Sequence, residues 1–488
     1  MLDDDSLLQL FDHYRQKHEE DWNLRRMWRM LAHICIRWRY LVFNSWSHLD
    51  IRLLLTNKSP PIVTLSHLPP LPLLIDYSDG TRTMTWQDHV NIYAGLKRHD
   101  RVCQVDLRVT SSSDCTMWLE QMNKSFPRLQ GLSLLSTSTE MNAVLPGTFR
   151  APDLRRLTLH GIGLPTGLPF LSSAITLSIL SLTHIGASSY FSPERLVTQL
   201  EGLPYLEELS IGFAIPIPLP SSERELLPAP ILSVSLPTLR QLMFRGVSVY
   251  LDNLIAQINA PLLTQLNLTL LFELAFTLGN LTKFIQRTEG LGCLAARVKF
   301  DKDSAYIDAG QKESGYNKPW DIRRIRLRVN CKPLDWQIDS AAQVCTALQK
   351  ALSVVEELQL DLDVHGIPSN WENTLDSMLW HELLLPFIAV KELYISSSIT
   401  RELSQVLNLV AAGLVLELLP ELQTLEIPDG MDTKYAFSVF IKTRKSVGRP
   451  IQLVPRESTS SRDSSDALSS PQRLFMFGTG ARQRPHIR

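Results

Sequence analysis

Cysteine pairs, a net charge and a long apolar run are all missing from this chain. Its six cysteines, Cys35, Cys103, Cys115, Cys293, Cys331 and Cys345, are scattered, with no Cys-x-x-Cys or Cys/His pair at metal-ligand spacing. No metal site is expected, and buried free thiols are. Lys and Arg total 49 against 50 Asp and Glu, a net charge of -1, so no global field draws the chain to nucleic acid or an anionic membrane. The longest apolar stretch, near Leu407 to Leu419, is broken by Asn408 and Glu417 and falls short of the roughly 20 residues a membrane-spanning helix needs. The opening residues MLDDDSLLQLF are acidic where a secretory signal is basic. A cytoplasmic or nuclear location is the expectation.

The common catalytic signatures are missing too. No GxxxxGK[ST], GxGxxG, GxSxG or HExxH occurs, and His381 and Glu382 in WHELLLPF have no second histidine four residues on. No catalytic residue and no cofactor are expected, and the chain is not expected to be an enzyme. With 44% hydrophobic and 20% charged residues it has the composition of a folded protein. At 488 residues it is too long for one ordinary core, which leaves several domains or an array that grows by repetition.

The N-terminus carries two apolar stripes. Leu7, Leu8, Leu10 and Phe11 fall within about one helical turn behind Asp3, Asp4, Asp5 and Ser6, residues that suit a helix N-terminus. After a charged spacer from Arg15 to Arg26, WRMLAHICIRWRYLVF puts Trp28, Leu31, Cys35, Trp38 and Val42 three or four residues apart. So few residues cannot bury both stripes among themselves, and part of that surface should meet another. These residues resemble an F-box, whose signature is an apolar N-terminal helix followed by a C-x-x-W pair, here Cys35 and Trp38. The layout is similar to that of the expanded F-box family of mushroom-forming fungi. It departs in having Asp3 where the family commonly has proline, and in its longer spacer. The resemblance implies that residues 1–50 bind the Skp adaptor of a cullin-RING (SCF-type) ubiquitin ligase, through Leu7, Leu8, Leu10, Phe11, Leu31, Cys35, Trp38 and Leu41.

Beyond residue 100 the pattern L-x-x-L-x-L, with conservative variants, recurs. It starts at Val102, Leu129, Leu154, Leu177, Leu206, Leu239, Leu263, Ala295, Ile322, Val355, Val390 and Leu422. Each start alternates apolar and polar residues as a strand with one buried face does, and helix-compatible stretches such as SPERLVTQLEGL, capped at Ser192, lie between. One such strand cannot bury its own apolar side, so neighbours must stack. This is the leucine-rich-repeat signature. The expected fold is therefore α/β: a short helical F-box, then an irregular leucine-rich-repeat solenoid of parallel strands and helices. Residues 51–100 are expected to be a connector packing on the array, 101–454 the array, and 455–488 a disordered Ser/Arg-rich tail. An exposed loop is expected around Asp301 to Pro319, and the asparagine that usually bonds neighbouring repeats is absent.

The register points to a partner. If the leucines face inward, the outward positions carry Arg245, then Arg297 and Lys299, then Arg324, Arg326 and Arg328, followed by Glu357, Asp361, Glu392 and Glu426. Arginines on one strand face repel each other unless an anion meets them. The expected target is a protein segment, acidic or phosphorylated, bound at Arg297, Lys299, Arg324, Arg326 and Arg328. Nucleic acid and membrane are not expected partners. The alternative is a leucine-rich-repeat scaffold uncoupled from any ligase.

Overall fold

The structure is a computed structural model that describes residues 2–17, 30–58, 70–79, 83–109, 111–136, 143–165, 171, 174–214, 233–311, 324–363, 377–411, 417–428 and 435–456. Its repeating step is local. In five repeats the first leucine closes a turn that contains a proline: the N–H groups of Leu129, Leu154, Leu206, Leu239 and Leu263 donate to the carbonyls of Phe126, Ala151, Leu203, Leu236 and Ala260 at 3.2 Å each. Pro127, Pro152, Pro204, Pro237 and Pro261 occupy the second position of these turns, where a fixed φ near −65° is what the turn requires. The next N–H then reaches the equivalent residue one repeat back, as Arg155 to Gln130, Ser178 to Arg155 and Glu207 to Ser178, all at 2.8 Å. Turn and ladder together fix the register of every following strand.

Sixteen strands form one sheet among the described residues. In chain order they are β1 (Leu53–Leu55), β2 (Leu73–Tyr77), β3 (Val102–Val109), β4 (Gly131–Ser136), β5 (Arg156–His160), β6 (Ile179–Ile185), β7 (Glu208–Phe213) and β8 (Gln241–Gly246). Then follow β9 (Gln265–Leu271), β10 (Ala295–Phe300), β11 (Ser304–Gly310), β12 (Arg324–Asn330), β13 (Glu357–Leu362), β14 (Glu392–Ile395), β15 (Thr424–Pro428) and β16 (Gln452–Arg456). Neighbours run parallel and in sequence order from β1 to β9 and from β13 to β16. Between them the order is β9-β12-β11-β10-β13, with β11 antiparallel to both its neighbours.

The helices form a second layer. The described helices include α1 (Asp4–Lys17), α2 (Ile36–Asn44), α3 (Trp86–Lys97), α4 (Ser112–Gln121), α5 (Pro193–Leu200), α6 (Ser248–Ala256) and α7 (Gly279–Arg287). Further on are α8 (Leu334–Ala347), α9 (Ser377–Leu384), α10 (Thr400–Ala411) and α11 (Ser438–Ser446), each of the last three packed on the one before it. Ser192 caps α5 by accepting from the Arg195 N–H at 3.5 Å with Pro193 in the first turn, as the sequence predicts. Strand burial alternates, as in β12, where Ile325, Leu327 and Val329 are buried and the intervening residues half-exposed. Inward strand residues and helix faces join in one apolar core from Leu7 to Ile451, so the sheet has a covered face and an outward one.

The described parts of residues 51–100 add β1, β2 and α3 to the same sheet and helix layers, and Leu73, Ile75 and Tyr77 are buried. Three expectations need correction. Asp301 to Gly310 is no loop but a tight turn and strand β11, and the rest of that stretch, from residue 312, lies outside the described residues. The Asp303 N–H donates to the Asp301 side chain at 2.8 Å, which folds the chain back, and Ala305, Ile307 and Ala309 then face inward. Of the cysteines five are buried and Cys35 is exposed. Finally, the continuous stripe from Trp28 to Val42 is broken at Cys35, which caps α2; Trp28 lies outside the described residues, as does the tail beyond residue 456. No helix among the described residues is long and apolar enough to cross a membrane, and none of their His, Cys, Asp and Glu groups could hold a metal ion.

Candidate functional site

Two surfaces follow from this architecture. The first is the N-terminal helical module. Its two helical stretches break at Cys35, whose extended backbone and side-chain sulfur cap α2 by accepting from the Trp38 N–H at 3.4 Å, so the C-x-x-W pair is a helix start. Trp38 then meets Phe11 edge-on, with ring centroids 4.8 Å apart, and Arg37 holds the two helices together through Asp4 at 2.6 Å and the Leu2 carbonyl at 2.8 Å. At the start of α1 the Asp3 carboxylate accepts from the Ser6 N–H at 2.7 Å, a hydrogen bond that lowers its pKa.

The residues expected to touch an adaptor divide by burial. Leu7, Phe11 and Leu41 are buried in the chain's own core, and Leu8, Leu31 and Trp38 are half-buried against it. Leu10 and Cys35 are exposed. Around them the structure exposes apolar side chains that the sequence reading did not single out: Tyr14 one turn beyond Leu10, Met30 and Ile34 on helical residues 30–34, and Ile36 and Tyr40 on α2. Ile36 is 82% and Tyr40 67% exposed, values far outside the normal behaviour of such side chains in a finished core. The signal that could have located Ile36 and Tyr40 is the cap at Cys35, because it resets the helical phase of everything after it.

The second surface is the outward face of the sheet, and cross-strand register orders it. One row reads Asn267, Arg326, Asp308, Arg297 and Gln359 across β9, β12, β11, β10 and β13. The inserted strand β11 changes the electrostatics. Asp308 ion-pairs with Arg324 at 2.8 Å and Arg326 at 3.1 Å, and Arg297 donates to Asp361 at 2.7 Å. Lys299 lies 3.6 Å from Asp363. Arg328 donates to the Ser304 hydroxyl at 2.9 Å and stacks over Tyr306, its centre 5.1 Å from the ring, while burial raises the Tyr306 pKa. The chain-order reading of a basic stretch followed by an acidic one is therefore not the spatial one. β12 precedes β10 in the sheet, and acidic side chains sit among the basic ones.

West of this cluster, toward β5, two imidazoles stack. His160 and His184 have ring centroids 5.0 Å apart, and His160 shares a 3.0 Å hydrogen bond with the Thr183 hydroxyl. Burial, then the neighbouring His184 and Arg245 charges, depress His160 to about 4, and burial and Arg245 lower His184. His184 adopts φ 58, where β6 shifts register against β7. Left-handed backbone at a non-glycine residue is uncommon, and it is what turns this ring toward its neighbour's.

Burial pushes the Cys115 and Cys331 thiols up to about 11 and Cys293 up to about 12, which leaves them unreactive thiols at neutral pH. No protein-family model matches this chain, and no curated protein matches it in sequence.

Proposed function

We propose that this chain is the substrate-recognition subunit of an SCF-type cullin-RING ubiquitin ligase, with residues 1–50 as an F-box that docks on a Skp-family adaptor and the repeat array as a solenoid that holds a target protein. The observation that carries the reading is the crowding of exposed apolar side chains onto the N-terminal module. Leu10, Tyr14, Met30, Ile34, Ile36 and Tyr40 are all exposed there, although Leu7, Phe11, Leu41 and Val42 show that the same helices have a core available. A folded module that keeps such side chains outside its core is shaped for a partner. The long sheet then offers an outward face to a second one. On this reading the chain contributes positioning alone, and ubiquitin transfer belongs to other subunits.

Co-expression with a Skp-type adaptor tests it. The wild-type chain is expected to co-purify with the adaptor, and the double variant Ile34→Asp, Ile36→Asp to lose it while keeping its circular dichroism and unfolding temperature. Those two side chains are exposed, so the variant removes apolar contact without burying a charge. Wild-type protein that shows no adaptor binding refutes the ligase reading and leaves a repeat scaffold.

A further inference from the structure

Four cations on the outward face of β10 and β12 have a carboxylate beside them: Arg324 and Arg326 share Asp308, Arg297 meets Asp361, and Lys299 faces Asp363. Arg245 and Arg328 do not. They stand in one cross-strand row with Thr269 between them, because Arg245 of β8 pairs with Thr269 of β9 and Thr269 pairs with Arg328 of β12. Strands about 4.8 Å apart place the two arginine Cα atoms roughly 10 Å from each other, a span that two long side chains can bridge. All three side chains are half-exposed on the outward face.

Neither guanidinium has an acidic partner among the described residues. Arg328 spends its Nε on the neutral Ser304 hydroxyl and lies on the Tyr306 ring. The Arg245 Nε is buried and makes no hydrogen bond. On its other side Arg245 pairs with Gly212, which has no side chain to cover it; a Cβ there would lie 3.6 Å from both the Arg245 Cβ and the Thr183 Cγ2. The nearest ring groups, His160 and His184, are themselves held neutral and supply no negative charge. Burial, then the charge of Arg328, works against the Arg245 cation. A half-desolvated cation beside a like charge, with an unsatisfied donor, is unfavourable unless an anion joins it.

We infer that Arg245, Thr269 and Arg328 form an oxyanion-binding subsite that receives a carboxylate or phosphate group of a bound protein segment. Two guanidinium groups and a hydroxyl in one cross-strand row supply the kinds of donor that either group takes. The inference rests on the outward face being the target surface, and it moves the anion contact away from Arg324 and Arg326, whose charge Asp308 already meets.

Thermal shift and calorimetry on the full chain test it, at constant ionic strength, with inorganic phosphate, capped phosphoserine and capped glutamate as probes. Wild-type protein is expected to bind at least one probe and to unfold at higher temperature in its presence. Arg245→Met and Arg328→Met should each weaken binding at least about tenfold, as loss of a charge-assisted contact does, and Arg324→Met less than about twofold. Tighter phosphoserine identifies a phosphorylated segment and tighter glutamate an acidic one; both outcomes support the subsite. No binding by the wild type, or binding that survives Arg245→Met, overturns it. Because the two cations repel, Arg245→Met without probe should unfold at the wild-type temperature or above, and a drop of several degrees would make Arg245 a structural cation and overturn the inference. Adaptor co-purification is unaffected by these variants, so failure here and failure of the ligase reading are told apart.

Discussion

His160 shows how single residues on the outward face register pH. Its pKa is about 4 in the folded chain, against an ordinary 6.5. An unfolded chain therefore binds a proton between those values that the folded chain refuses, so the stability from a neutral His160 is complete above about pH 6.5 and is lost as the pH falls toward 4. The groups facing it are His184, Arg245 and the Thr183 hydroxyl, and His184 is lowered too, which acts with the same sign. Unfolding temperatures measured from pH 7.5 to 4.5 should fall less steeply for His160→Gln than for the wild type; parallel profiles would mean that this ring is not the group that titrates. Inward residues behave more simply. Leu266 and Leu268, at the alternating apolar positions of the repeat that starts at Leu263, are 0% and 1% exposed, and Leu266→Asp should cost more than about 3 kcal/mol in chemical denaturation by burying an unpaired charge. Such leucines were legible because period-two alternation states which side of a strand is dry. The pairing of Arg324 with Asp308 was not, since it depends on a strand that the leucine pattern passes over.

At the scale of elements, threonine hydroxyls tie neighbouring repeats together. The Thr176 hydroxyl donates to the Leu154 carbonyl at 3.0 Å and the Thr238 hydroxyl to the Leu206 carbonyl at 2.9 Å, each tying one repeat to the one before. Thr238→Val keeps the shape and removes the donor, and should lower stability by about 1 kcal/mol, read as a shifted denaturation midpoint at unchanged slope. The helices α5 and α7 were legible from their apolar spacing, and Ser192 marked where α5 begins. Strand β11 escaped notice because SAYIDAG offers alanine and glycine where the repeat offers leucine, although its alternation and the Asp301 and Asp303 turn were on display. The N-terminal module was legible in its apolar residues but not in their facing. Its apolar residues were found, but which of them face out depends on the break that Cys35 makes.

Among the described residues the sixteen-stranded sheet has two ends, and each end is blunted. β1 has three residues, and β16 carries Pro455, which removes a backbone donor from the edge. Deleting the chain from Gln452 onward should bare the β15 edge and produce concentration-dependent association in light scattering, whereas the full chain should stay at one mass. Repetition made this overall plan readable, because every leucine start announces another strand; the order of the strands was not, because pairing between distant segments leaves no local mark. That order has a consequence during synthesis. A chain leaving the ribosome can lay down β1 to β9 one after another, but β10 comes next and has no place beside β9. Its partners are β11 and β13, and the seat next to β9 stays open until β12 arrives. From Ala295 to Asn330 the nascent protein must therefore hold an unfinished edge and an unplaced strand together, so three strands join as a block and this stretch is where a translating chain is most in need of protection from its neighbours.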